Sequence, residues 1–450
     1  MQNATTRRIV LGGLAVALLA ATPSVTVAAA AAEIPHTWSA GDTLRHTVRA
    51  GDTLNRLAIR YREPAGWYSQ ADCLAAIRRA NDLEHTHLLR PGQDLLIPTW
   101  REPDPPRPVE PTLDGSRLRG LYLPGPACGY RSVFARIDSF TAAGGNGVVF
   151  DAKDIDGGVS FASRQPLAAW GKGRTAPVIG DLRQLVGRLR ARELWVVARV
   201  ALFLDGELGR NRSDLVLAGP GGEPWQERGC YWLDPAAGEV RAYHIGLAVE
   251  LAQAGVNEVQ IDYVRYPTNG WRGDGDGEPA AIAARRRAVI TSFVAALHDT
   301  LQSLGCLLSA DLFGIMAWDR TEDLALTGQH VPSLAAHLDV ICPMIYPSHF
   351  GPGFEGLAQP ADHPEIMIAA GMRRFREQAG PAVLIRPWLQ AFPWRVSRYD
   401  SGYVSQQIRA AELAGAAGWC LWNPAGRYDV ALAALRQPIW LAAGDDPALP

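Results

Sequence analysis

The stretch Glu258-Val-Gln-Ile-Asp-Tyr-Val-Arg-Tyr-Pro267 reads as a buried strand with charge at its downstream end. Val259, Ile261 and Val264 supply the apolar run, and Pro267 stops it. A strand cannot hide the carboxylate of Asp262 and the guanidinium of Arg265 in a core without partners. The two charges are therefore expected where the chain leaves the sheet, the edge on which α/β proteins keep their chemistry.

The same pattern recurs along the chain. Apolar runs ending in polar or aromatic residues occur at 119–124, 147–154, 194–203, 307–314, 340–347, 384–392 and 418–424. Helix-period segments lie between them, among them Val133 to Ala143, Leu182 to Arg190, Val240 to Ala254 and Ala280 to Leu304. Continuous rather than alternating apolar runs mark strands covered on both faces. Eight such strands alternating with helices predict an α/β fold, a (β/α)8 TIM barrel over residues 118–440, preceded by a small α+β module.

Composition excludes other classes. A formal charge of -2 spread over 450 residues leaves no basic face for nucleic acid. Arg7-Arg8, an apolar stretch from Ile9 to Ala21 and an alanine-rich run to Ala32 predict a signal peptide over 1–32, by the general or the twin-arginine route. The expected location is exported, periplasmic or extracellular and cell-wall associated, with no stable membrane span after cleavage. Of the six cysteines, Cys306, Cys342 and Cys420 fall in or beside buried strands and Cys73 stands alone in the small module. Cys128 and Cys230, in loops, are the one pair considered for a bridge.

Residues 46–98 carry Val48-Arg-Ala-Gly-Asp-Thr-Leu54, Ala76-Ile-Arg-Arg-Ala-Asn81 and Leu89-Arg-Pro-Gly-Gln93. They read as strand, helix, helix, turn, strand, with Asp52 or Thr53 capping the first helix and Pro91-Gly92 turning into the last strand. The unit resembles a LysM domain, which implies binding to polymers containing N-acetylglucosamine, such as peptidoglycan or chitin. The connection Arg62 to Ala71 is longer than is usual there, which is expected to reshape the groove. Residues 99–117 hold five prolines and read as a semi-rigid linker.

Carboxylates gather at predicted strand ends: Asp151, Asp154, Asp156, Asp205, Asp262 and Asp311. Aromatics, among them Tyr346, Trp388, Trp394 and Trp422, gather on later strands and loops. Acids across a cleft lined by flat apolar rings suit carbohydrate, whose ring faces stack on aromatics and whose glycosidic bond yields to paired carboxyl groups. The histidines form no His-x-x-x-His pair with an acidic partner, and Asp274-Gly-Asp-Gly-Glu278 lacks the ligands of a calcium loop. No metal and no cofactor are expected.

Asp151-Ala-Lys-Asp-Ile-Asp-Gly157, Asp262-Tyr-Val-Arg-Tyr-Pro267, Ser309-Ala-Asp-Leu-Phe-Gly314, Pro343-Met-Ile-Tyr-Pro-Ser-His349 and Gly418-Trp-Cys-Leu-Trp-Asn423 resemble, in order, a bacterial barrel family described as glycosyl hydrolases and akin to alpha-amylase-like and chitinase-like barrels. In alpha-amylase-like barrels the nucleophile ends strand four and the acid/base ends strand five, which maps to Asp262 and Asp311. Arg265 is then expected to hold Asp262 ionised, and the apolar flank of Leu312 and Phe313 to raise the pKa of Asp311. Asp151, Lys153, Asp154 and Arg265 become substrate contacts, with Tyr346, Trp388 and Trp422 as stacking platforms.

The reading is an exported glycoside hydrolase acting on a cell-wall or matrix polysaccharide that contains N-acetylglucosamine, with the LysM unit as tether. One alternative is a substrate-assisted, chitinase-like hexosaminidase, although Glu258 and Gln260 stand where further strand-four aspartates belong. The other is a non-catalytic glycan-binding or envelope scaffold.

Overall fold

The computed structural model describes residues 43–62, 64–83, 88–99, 117–130, 132–171, 177–271, 273 and 278–437. The predicted signal peptide and nearly all of the linker lie outside them. The chain divides into two compact units at Asp104/Pro105.

In the small unit, strands Thr43–Thr47 and Asp94–Pro98 pair antiparallel, and helices Leu54–Arg62 and Gln70–Ala80 intervene. Leu57, Ala58, Ala76, Ile77, Leu95 and Ile97 form a core sealed from solvent. Thr53 caps the first helix, its Oγ1 accepting from Arg56 N at 3.2 Å. Asp52 instead accepts from His46 Nε2 at 2.9 Å and Arg49 N at 2.8 Å. The long connection between the helices is tied into this core: Trp67 is buried and its Nε1 donates to Pro98 O at 2.7 Å.

In the large unit eight parallel strands follow one another as Leu118–Leu123, Gly147–Lys153, Trp195–Ala201, Glu258–Asp262, Leu307–Phe313, Val340–Met344, 384–390 and Gly418–Trp422. The seventh is split at Arg386-Pro387 into Leu384–Ile385, which pairs with the sixth strand, and Trp388–Gln390, which pairs with the eighth. Arg386 N donates to Ile341 O on one side while Ile385 O accepts from Ala417 N on the other, so the sheet closes on itself. Closure also needs a residue without a side chain where the eighth strand meets the first. Gly418 has φ +96°, and a Cβ there would sit 1.8 Å from Leu118 O.

Helices Ser132–Ala142, Leu182–Arg190, Gly238–Gln253, Pro279–Gln302, Pro364–Ala379 and Ser401–Leu413 lie between the strands. Val149, Val197, Val340, Cys342 and Cys420 belong to one buried cluster. Below it Arg386 and Glu258 pair through two 3.0 Å contacts, with Trp195 Nε1 donating to Glu258 at 3.1 Å. Glu258 is thus a buried partner of Arg386, as the need to pair an enclosed charge requires. After the third strand the chain inserts a small antiparallel sheet, Leu204–Asp205, Cys230–Trp232 and Gln226–Glu227. No disulfide joins Cys128 and Cys230, so the bridge considered above is absent.

Candidate active site

Arg199 organises the downstream end of the barrel interior. It belongs to the third strand, where backbone register places it level with Asp151 on one side and Gln260 on the other. Side chains alternate along a strand, so Arg199 shares the face of buried Val197. Its Nη1 lies 2.5 Å from Asp151 Oδ1 and its Nη2 2.5 Å from Asp262 Oδ2. Nε lies 3.2 Å from the same Asp262 oxygen and 3.6 Å from Asp311 Oδ2. One guanidinium therefore gathers carboxyl groups from the second, fourth and fifth strands.

Each acid has a different setting. Asp262 accepts a further hydrogen bond, 2.6 Å, from Tyr263 N. That contact accompanies φ +53° at Tyr263, a left-handed conformation a bulky residue seldom adopts and one that clusters at functional positions. Asp311 is 1% exposed and accepts from Trp388 Nε1 at 2.6 Å. Burial, and then the charge of Asp262, push its pKa well above the ordinary carboxylate range. Asp151, also 1% exposed, accepts from the Tyr122 hydroxyl. Burial lifts its pKa to about 7 despite Arg199. Asp154 stays at the rim, its side chain half exposed and 4.0 Å from Arg199 Nη1.

Several expectations change at this resolution of contact. Arg265 is not the cation that holds Asp262; Arg199 is. Arg265 turns into aromatic rings, its guanidinium carbon 4.4 Å from the centroid of Phe313 and 4.6 Å from that of Trp232. Lys153 is not placed to meet sugar hydroxyls. It is fully buried, 2.9 Å from Asp205 Oδ2, and donates to Ala201 O at 2.8 Å. Asp205 is enclosed with it and caps the helix Gly206–Asn211 through Leu208 N at 2.8 Å, which removes it from the set of reactive acids. Trp388 is 2% exposed, so its indole serves Asp311 rather than offering a face. Tyr346 is buried and stacks on Trp422, centroids 5.3 Å apart and planes at 27°. Trp422 itself is half-buried.

Tyr122 and Arg199 are the participants that sequence reading missed. The signal for Arg199 was present: a charge amid Val196, Val197, Ala198 and Val200 in a strand covered on both faces demands acids on the adjoining strands.

Residues 120–428 match the model of the family described as "Putative glycosyl hydrolase domain", and residues 46–98 match the LysM domain. The glycoside hydrolase domain of PgaB (BpsB) from Bordetella bronchiseptica is 16% identical, with TM-score 0.55 over 71% of this chain and 98% of that one. That likeness concerns the fold. A chitinase from Chromobacterium violaceum ATCC 12472 is 15% identical over 73% of this chain and 99% of that one, with TM-score 0.44. A hypothetical protein from Ruminiclostridium thermocellum ATCC 27405 is 26% identical over 42% of this chain and 96% of that one, with TM-score 0.36. No curated protein matches. Among the described residues no helix is long and apolar enough to cross a membrane.

Proposed function

Because the chain belongs to the glycosyl hydrolase family matched over residues 120–428, we propose that it is an exported glycoside hydrolase that cleaves a polysaccharide containing N-acetylglucosamine with Asp262 and Asp311. The LysM domain, a glycan-binding unit, holds it on peptidoglycan or a chitin-like polymer. The observation that carries the catalytic reading is the convergence of carboxyl groups from three strands on Arg199 at the barrel's downstream end. In this fold that end is where reactions are run.

The division of labour follows from the settings. Asp262, ion-paired with Arg199 and bonded by Tyr263 N, is the carboxylate that attacks the anomeric carbon. Asp311, whose burial and proximity to Asp262 favour the protonated form, gives its proton to the departing glycosidic oxygen. Trp388 engages Asp311 Oδ1 and so leaves Oδ2 to carry that proton. A covalent glycosyl-Asp262 ester results, and Asp311, now ionised, takes a proton from the water that hydrolyses the ester. The Oδ2 atoms of Asp262 and Asp311 both lie within 3.6 Å of Arg199 Nε. They are therefore no more than about 7 Å apart, a limit that admits the roughly 5 to 5.5 Å of direct attack with retention and only the short end of the roughly 6.5 to 9.5 Å that an inverting water requires. Asp154 and Trp422, the partly exposed members, are the contacts for sugar hydroxyls and a ring face.

The test is release of new reducing ends from chitin oligosaccharides and from peptidoglycan glycan strands, with product anomers followed by NMR. Release with retained configuration is expected. Retention on these polymers without any bond cleavage by the wild-type protein would replace this reading with the scaffold one.

A further inference from the structure

Arg265 is a buried cation with no carboxylate in contact among the described residues, although the charges of Glu227 and Asp262 act on it. It is 5% exposed, and its Nη1 donates to Tyr266 O at 3.0 Å. Among the described residues it forms no ion pair, and its Nε and Nη2 make no hydrogen bond, yet these two nitrogens are not sealed from solvent. The nearest acids are engaged elsewhere: Glu227 accepts from Trp232 Nε1 at 3.1 Å, and Asp262 is held by Arg199. Three rings frame the guanidinium, Phe313 at 4.4 Å, Trp232 at 4.6 Å and Tyr263 at 5.4 Å. Trp232 is enclosed, whereas Tyr263 and Phe313 are partly exposed and mark the open side. Aromatic faces stabilise the cation and fix its plane without using its N–H groups. What is left over is a pre-oriented donor edge beside Asp262.

We propose that this edge receives a carboxylate carried by the substrate glycan, a uronic acid or a lactyl ether on a sugar bound at the Asp262 side of the cleft. The inference rests on the glycoside hydrolase reading and adds a substrate class to it. Guanidinium and carboxylate match as paired donors and acceptors. The buried setting of the guanidinium strengthens such a contact relative to one in open water.

The experiment compares uronate-bearing oligosaccharides and lactyl-ether-bearing bacterial wall glycans, each with its carboxyl-reduced counterpart. Wild-type kcat/KM is expected to favour one of the acidic forms over its reduced form by roughly 10- to 100-fold, the scale of one charge-assisted hydrogen-bonded contact. Which of the two shows the preference identifies the source of the carboxylate. Arg265→Gln should bring the ratio near one, and Arg265→Lys should leave it intermediate. Calorimetric binding of the same pairs to the Asp262→Asn protein gives a readout that needs no turnover. Equal treatment of acidic and reduced forms in both assays, turnover by the wild-type protein and binding by Asp262→Asn, overturns the proposal, even where Arg265 variants fail to fold. So does an unchanged ratio in a folded Arg265→Gln. Absence of hydrolysis together with a binding preference that Arg265→Gln abolishes would sink the hydrolase reading and leave the carboxylate site standing.

Discussion

Arg199 Nη2 lies 2.5 Å from Asp262 Oδ2, joining the third barrel strand to the fourth by an ion pair at the barrel's downstream end. The same guanidinium reaches Asp151 and Asp311, so one side chain couples the positions of all three acids. That coupling governs the first three predictions.

Asp262→Asn keeps one oxygen, enough to accept from Arg199 or from Tyr263 N but not from both, so it is expected to fold with some loss of stability while glycan turnover falls by several orders of magnitude. Thermal melting and steady-state kinetics check this together. Activity within a few-fold of wild type removes Asp262 from the nucleophile role.

Asp311→Ala should slow hydrolysis of substrates with poor leaving groups far more than that of activated aryl glycosides, which need little proton donation. The alkaline limb of the pH–rate profile, which reports loss of the acid's proton, should flatten with it. Equal losses on both substrate types with the limb intact would leave Asp311 as a brace for Trp388 and turn attention to Asp151.

Asp151 makes a prediction about stability. Its folded pKa of about 7 lies above the 3.8 of a free aspartate, so the folded state binds the extra proton between those values. Stability contributed by Asp151 is therefore full below about pH 4 and is lost as pH rises to about 7, the sign that proton linkage requires. The decline in Tm between pH 4 and 7 should be shallower in Asp151→Asn than in wild type. Parallel curves for the two proteins would contradict the assignment.

Lys153→Met strands the carboxylate of Asp205, which is 0% exposed, without its cation. Breaking one side of a buried pair costs about 3–5 kcal/mol, so the midpoint of urea unfolding should fall markedly. Lys153→Met/Asp205→Leu should recover part of that loss. A change in KM with unaltered stability would instead return Lys153 to the substrate.

Deleting the module that ends at Pro98 should weaken retention on insoluble peptidoglycan or chitin and leave kcat/KM on short soluble glycans within a few-fold. A pull-down and a soluble-substrate assay on the same preparation separate the two effects. Loss of both activities would mean that the module contributes to the catalytic site.

The sequence by itself determined the barrel, because strands buried on both faces must be apolar throughout and the intervening helices must repeat at 3.6 residues, so Gly147–Lys153, Leu307–Phe313 and Leu182–Arg190 are readable from local pattern. It also marked Asp262 and Asp311, since a carboxylate at the end of an apolar strand is conspicuous in one dimension. Which cation neutralises which acid is not a local property. Arg265 lies three residues from Asp262 in the chain, yet the turn at Tyr263 carries it into the rings of Trp232 and Phe313. Arg199 lies 63 residues away and meets Asp262 because strand register sets it beside Gln260. Lys153 follows Asp151 by two positions, but the irregular pairing between them takes it to Asp205 instead of the cleft. Only tertiary structure decided these partnerships, because a buried charge is satisfied by what the closed barrel brings within 3 Å, not by its neighbours in sequence.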